Sequence, residues 1–204
     1  MNMYKRVKKD SKWTIQHLGN FDISGIKKEV SSFDKEWLID ISRQNIGMTH
    51  KHTYMYRLCA TDYLWIPGTK LETIQYNKLY TEEANKNLID IYSSLEKYYS
   101  GKIIRCEIIK LLKKSEIYKH TDGGALLHYS RRVHIPLITS KEITFTVMNN
   151  EMHMQEGGWY EINNQLPHSV SNKSDVDRIH MIVDIFPDDM MKYKIEKENS
   201  YGKY

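Results

Sequence analysis

Residues 82–99 carry the clearest periodic signal in the chain. Leu88, Ile91, Tyr92, Leu95 and Tyr98 recur at the i, i+3, i+4, i+7 spacing of one helical face, and Gly101 follows where a helix stop is expected. The spacing predicts a helix over 82–99 with that face buried. A shorter helix is predicted over 21–33, a strand over 53–60, and a turn at Pro67-Gly68. After Gly101 the period changes to two. Residues 102–112 alternate, and further strand candidates follow at 116–121, 132–138, 142–148, 159–163, 167–171 and 178–185. Turn material separates them at 121–124, 149–150, 157–158 and 172–175. Many short, closely spaced strands predict a sandwich or barrel. A helical N-terminal part followed by a β-rich part predicts an α+β fold, a jelly roll with N-terminal helices packed on one outer sheet. No linker interrupts the pattern, so 1–204 reads as a single domain with its core in 102–187.

Two late strands have an unusual second face. In 178–185, Ile179, Met181, Val183 and Ile185 share one side, and Arg178, His180, Ile182 and Asp184 share the other. In 132–138, Val133, Ile135 and Leu137 oppose Arg132, His134, Pro136 and Ile138. Such a polar face either meets solvent or lines a barrel holding a polar ligand, and the pattern alone fits both.

His120-x-Asp122 bears on that choice. Residues i and i+2 of an extended segment point to the same side, so an imidazole and a carboxylate can meet one cation there. His168, straight after the stiff Pro167, is available as a third ligand. Two histidines and one carboxylate form the facial triad of non-haem Fe(II) oxygenases and leave coordination positions open. Arg178 follows ten residues after His168. A tight turn at 172–176 is expected to fold its strand back beside His168, aiming a bidentate, permanently charged grip at the far end of a dicarboxylate.

Composition and charge narrow the classes. Charged residues make up 27% of the chain, and no apolar run approaches a membrane span. The start, MNMYKRVKKDSKW, lacks an apolar run after its basic residues, so no secretory signal is expected. Cys59 and Cys106 cannot build a disulfide framework, and a reducing cytoplasm is the expected setting. Residues 1–12 carry Lys5, Arg6, Lys8, Lys9 and Lys12 against Asp10, which accounts for the whole net charge of +4. The rest is neutral, so 1–12 reads as a flexible basic tail and no nucleic-acid partner is expected.

The residues now carry a family resemblance. HTDGG at 120–124, RVHIPLIT at 132–139, GGWYEINNQLPHSVSNKS at 157–174 and RIHMIVDI at 178–185 resemble the aspartyl/asparaginyl β-hydroxylases in order and spacing. These are cupin-type oxygenases dependent on 2-oxoglutarate and Fe(II). The likeness spans most of 45–187. It implies a double-stranded β-helix core, iron on His120 and His168, and Arg178 on the 2-oxoglutarate tail. It also implies that Arg132 and His134 lie near the co-substrate. The animal members have glycine where this chain has Asp122, so the chain is more similar to bacterial members resembling free-proline hydroxylases. The implied reaction uses Fe(II), 2-oxoglutarate and dioxygen to hydroxylate an unactivated carbon. The substrate is a free amino acid or an Asp, Asn or Pro-type side chain in a peptide, with no membrane partner.

Three other readings compete. A non-catalytic cupin that binds a metal or small acid has little need for all four of His120, Asp122, His168 and Arg178. A zinc hydrolase or isomerase leaves Arg178 unexplained. A nucleic-acid dealkylating oxygenase calls for a basic body. His50-x-His52 reads as a substrate-side or ordinary polar pair at strand spacing, His180 as a satisfied interior histidine, and Asp184 as the orienting partner of a neighbour or the cap of a network. His52, Tyr54, Arg57 and Arg131 are the candidate substrate contacts, and Trp159 and the methionines are packing residues.

Overall fold

The computed structural model describes residues 13–45, 47–61 and 71–188. The basic segment at 1–12 and the Pro67-Gly68 turn lie outside the described residues. Among the described residues, eleven strands pair antiparallel into two sheets. The strands are β1 (Ile15–Asn20), β2 (Thr53–Thr61), β3 (Thr73–Gln75), β4 (Gly101–Leu111), β5 (Ser115–His120), β6 (Arg131–Ile138), β7 (Ile143–Val147), β8 (Asn150–Met152), β9 (Gly158–Ile162), β10 (His168–Asn172) and β11 (Arg178–Pro187). The large sheet runs β1-β9-β6-β11-β4-β2-β3 and the small sheet β5-β10-β7-β8. This is a jelly-roll core.

Two helices, α1 (Ser24–Val30) and α2 (Glu82–Tyr99), cover the outer face of the large sheet. Their apolar faces meet the side of the sheet predicted to be apolar. Ile179, Met181, Val183 and Ile185 of β11 and Val133, Ile135 and Leu137 of β6 pack with Ile26, Val30, Ile91 and Leu95. Thr81 caps α2 by accepting from the Ala84 N–H at 3.2 Å. The buried Glu29 of α1 accepts from the Tyr80 and Thr81 backbone N–H groups and the Thr81 hydroxyl, each at 2.8 Å. One carboxylate thus joins the two helices.

The buried stripe of α2 differs from expectation at its end. Ala84, Asn87, Ile91, Leu95 and Tyr99 are buried, whereas Tyr98 is 50% exposed. The i, i+4 row from Asn87 reaches Tyr99, whose hydroxyl donates to Glu161 at 3.0 Å. The helix stop differs too. Ser100 adopts the left-handed conformation (φ 47°), and Gly101 already opens β4. Glycine is required there because a Cβ would sit 2.4 Å from the Phe186 carbonyl oxygen.

Several elements lie where no periodic signal predicted them. They are β1, β3, the short helix α3 (Ala125–Tyr129), and 3-10 turns at Lys35–Leu38, Ser42–Asn45 and Met48–His50. Asn150, read as turn material, begins β8 after a reversal with Met148 at positive φ.

The turn at 172–176 does not make a hairpin. β10 ends in the small sheet and β11 begins in the large one, between β4 and β6. The link crosses between sheets and is held by Asn172, whose amide donates to the Leu112 and Val176 carbonyls at 3.1 and 2.9 Å. Arg178 therefore faces His168 across the sandwich rather than beside it in one sheet.

Truncating Leu95 to Ala removes a fully buried anchor of α2. The expected loss is about 2–5 kcal/mol of stability, read by equilibrium urea denaturation.

Candidate metal centre

The inner face of the small sheet brings two histidines together by register. His168 of β10 pairs directly with His120 of β5, and their ring centroids lie 4.3 Å apart. Asp122 follows β5 in a loop whose backbone N–H donates to the Asn164 carbonyl at 3.1 Å. One Asp122 carboxylate oxygen lies 3.8 Å from His120 Nε2 and 3.9 Å from His168 Nε2. One ligand atom from each of the three lies within 4.8 Å of the others.

The histidines are oriented as a metal would require. His120 Nδ1 lies 2.7 Å from the Tyr118 carbonyl and His168 Nδ1 lies 2.9 Å from the Leu166 carbonyl. A carbonyl accepts only, so each Nδ1 carries the proton and each Nε2 presents its lone pair toward Asp122. The chemistry of this donor set suits a divalent first-row cation.

A polar ladder on the large sheet stands behind Asp122. The β6–β11–β4 register aligns Arg132, Asp184 and Arg105 in one row. Arg132 donates to Asp122 from one terminal nitrogen. It forks onto Asp184 with its Nε at 2.9 Å and its other terminal nitrogen at 3.1 Å. Arg105 Nε donates to Asp184 at 2.6 Å. Burial pushes the Asp122 carboxyl up to about 6, aided by the negative Asp184 and opposed by Arg105. Burial likewise raises Asp184, against the pull of Arg105. Asp184 therefore orients a neighbour, and that neighbour is Arg132.

A cavity opens from these ligands into the sandwich. It is lined by the polar Arg43, His50, His134 and Arg178 and by the apolar Ile109, Ile117, Phe145, Val170 and Ile182. Arg178 is 1% exposed. Among the described residues its partners are His180 Nδ1, 2.8 Å away, and the face of Phe145, 5.9 Å from the ring centroid. No carboxylate among the described residues pairs with it, and burial pulls its guanidinium down to about 9, with the positive Arg43 adding to the effect. His134 is buried in the same wall, and neither ring nitrogen has a partner. His180 differs from a fully satisfied histidine, since its Nε2 is buried and unpaired.

Arg43 and His50 are further residues of this site. His50 lies in a 3-10 turn, edge-on to His120 with centroids 5.1 Å apart, so it is not a strand partner of His52. Arg43 comes from another 3-10 turn. Neither stretch has a period that could have pointed to them. The expected substrate contacts are elsewhere. Arg57 pairs with Glu107 and Asp40, Tyr54 carries Lys110 over its ring, and Arg131 pairs with Glu161, while His52 lines neither cavity at the site. Cys59 and Cys106 are buried and free, and Trp159 packs against Phe21 and Tyr98.

A jelly roll whose small sheet presents a His-Asp-His cluster to an enclosed, arginine-floored cavity has the architecture of a cupin-type metal protein. The chain belongs to the aspartyl/asparaginyl β-hydroxylase family, whose sequence profile matches residues 48–187. Hydroxylases are oxidoreductases. Among solved structures it is similar to a 2OG-Fe(II) oxygenase family oxidoreductase from Burkholderia pseudomallei, with 13% identity and a TM-score of 0.57 over 91% of this chain and 90% of that one. It also matches a non-heme monooxygenase–nickel complex at 8% identity and a TM-score of 0.49, over 85% of this chain and 74% of that one. A predicted oxalate decarboxylase from Thermotoga maritima matches at 15% identity and 0.37, over 66% and 80%. No helix among the described residues is long and apolar enough to cross a membrane.

Two measurements follow from the geometry. Asp122→Ala should abolish tight Mn(II) binding, read by electron paramagnetic resonance titration, while the far-ultraviolet circular dichroism stays that of the wild type. The pH response of the metal-free protein is dominated by the buried His134, His168 and His180 and the partly buried His50. Burial holds His50 at about 3 and His168 at about 4, and His134 and His180 lie well below the ordinary imidazole value. Below pH 6.5 the unfolded chain takes up these protons and the folded chain does not. Stability should therefore fall as pH drops from 6.5 toward 4, by about 1.4 kcal/mol per pH unit for each histidine. Asp122, which takes its proton at about 6 in the folded state, offsets about one of these histidines, and Asp184, raised by burial, acts in the same direction. Urea melts across this range test the slope.

Proposed function

We propose that the chain is an Fe(II)- and 2-oxoglutarate-dependent oxygenase that hydroxylates an unactivated carbon of a free amino acid or of a short peptide. The observation that carries this reading is Arg178. A guanidinium buried without a carboxylate is costly unless a ligand supplies the missing charge. The cavity it shares with His120, Asp122 and His168 suits a molecule with one end on a metal and a carboxylate at the other. A 2-oxo diacid has that form. Simple metal storage or zinc hydrolysis gives Arg178 no task.

Each residue then has a role. His120, Asp122 and His168 would hold the iron, which when bound supplies the activation of dioxygen and the oxidative decarboxylation of the co-substrate. Arg178 grips the distal carboxylate in a bidentate fork. His180 holds that guanidinium in place through the 2.8 Å contact. His134 offers an unpaired ring N–H to the co-substrate from the side wall. Arg132 lines the same space, and its donors toward Asp122 and Asp184 leave two N–H groups for the co-substrate. Ile109, Ile117, Val170 and Ile182 keep water from the reacting centre, which strengthens each of these interactions.

An anaerobic thermal-shift series tests the assignment. Mn(II) and 2-oxoglutarate together, each near 100 times its dissociation constant, should raise Tm by roughly 5–10 °C beyond Mn(II) alone. Arg178→Ala should weaken 2-oxoglutarate by about 10- to 100-fold and leave Mn(II) affinity unchanged. Equal 2-oxoglutarate affinity in wild type and variant would sink the assignment.

A further inference from the structure

The site holds a second guanidinium that the iron and the 2-oxo acid leave unused. Arg43 lines both the inner cavity and a wider mouth of about 380 Å³, which also includes His50, Arg105, His120, Asp122 and Arg132. Its nearest acidic group among the described ion pairs is Glu107, at 3.9 Å, beyond hydrogen-bonding distance, and Asp122 acts on it from farther away. Glu107 is already committed to Arg57 Nε at 3.0 Å. The Arg43 Nε is buried and has no partner. The same holds for His50 Nδ1, on the ring beside His120. Two buried, unpaired polar atoms on residues that line one opening call for a ligand.

Charge balance says which ligand. Around the site the four carboxylates of Asp40, Glu107, Asp122 and Asp184 pair with Arg43, Arg57, Arg105 and Arg132, while Arg178 adds a fifth guanidinium that pairs with none of them. One cation is in excess. A divalent metal and a dianionic 2-oxo acid cancel each other and leave that excess in place. The poorly paired member at the mouth is Arg43.

We propose that Arg43, assisted by His50, binds a carboxylate of the primary substrate and so makes the enzyme selective for a substrate with a free carboxylate at the reaction mouth. The inference rests on the oxygenase reading and deepens it. Arg43 lies just before the family-matched segment of 48–187, and His50 lies within it. A free amino acid, or a peptide ending in one, meets the requirement. An internal, uncharged peptide side chain does not.

The test separates the two readings. Mn(II) and then 2-oxoglutarate are titrated into wild type and Arg43→Gln, and both proteins should bind both. The common L-amino acids, each paired with its carboxamide, are then titrated into the Mn(II)–2-oxoglutarate protein by calorimetry. At least one acid should bind, and its amide should bind about 10- to 100-fold more weakly. Arg43→Gln should lose that preference, and Arg43→Lys should keep part of it. A protein that takes neither Mn(II) nor 2-oxoglutarate overturns the oxygenase reading itself. With those two bound, the carboxylate grip is overturned if no acid binds, if acid and amide bind alike, or if Arg43→Gln keeps the preference. A loss of 2-oxoglutarate affinity in Arg43→Gln would overturn it too, by assigning Arg43 to the co-substrate.

Discussion

A carboxylate buried beside two imidazoles tends to take up a proton, and a protonated carboxyl is a poor metal ligand. In the row Arg132–Asp184–Arg105 on the opposite sheet, the two guanidiniums counter that tendency and the central Asp184 works with it. Positive, negative and positive side chains sit on three adjacent strands, each within reach of the next. Removing the central Asp184 would leave two guanidiniums facing each other in a low-dielectric interior, the costly way to break a buried ion pair. The row also restrains the sheet. A one-residue slip of β11 would turn its charged face against α1 and α2 and its apolar face into the cavity. Strand register and ligand ionisation are thus governed by the same salt-bridged residues.

Two arginines on that inner face show how one residue type serves opposite ends. Arg132 forks onto a fully buried carboxylate and reaches a second, so its charge is spent within the protein. Arg178 sits at an equal depth with only an imidazole and a phenyl ring for company. The first is held in the protein's own ion pairs, and the second has no acidic partner among the described residues. The difference lies in what each faces across the strands. Asp184 stands opposite Arg132 in the register, whereas Leu111 stands opposite Arg178.

Much of this was legible from periodicity. The 82–99 helix forms over that range, and the alternation in 132–138 and 178–185 correctly divided the helix-covered face from the interior. The His-Asp-His cluster was readable because HxD places two donors on one side of an extended segment. Other features left no local trace. Arg43 and His50 come from 3-10 turns in an aperiodic stretch, and tertiary packing alone carries them to the cavity. The crossing at 173–177 looks like a hairpin turn in sequence, since Asn, Ser and Asp suit either one. Its course is decided by the Asn172 amide, which ties it to Leu112 in a distant strand end. Tyr98 and Tyr99 are alike in chemistry, and only the partner Glu161 explains which is buried.

The three side chains of the candidate metal centre are not fastened to one body. His120 and His168 are carried by the small sheet, while Asp122 is tied through Arg132 to the large one. A cation seated among them is therefore a cross-brace spanning the mouth of the sandwich. Such an ion would tie the small sheet to the large one through the Asp122–Arg132 contact. The opening through which a substrate must pass is the one this tie spans.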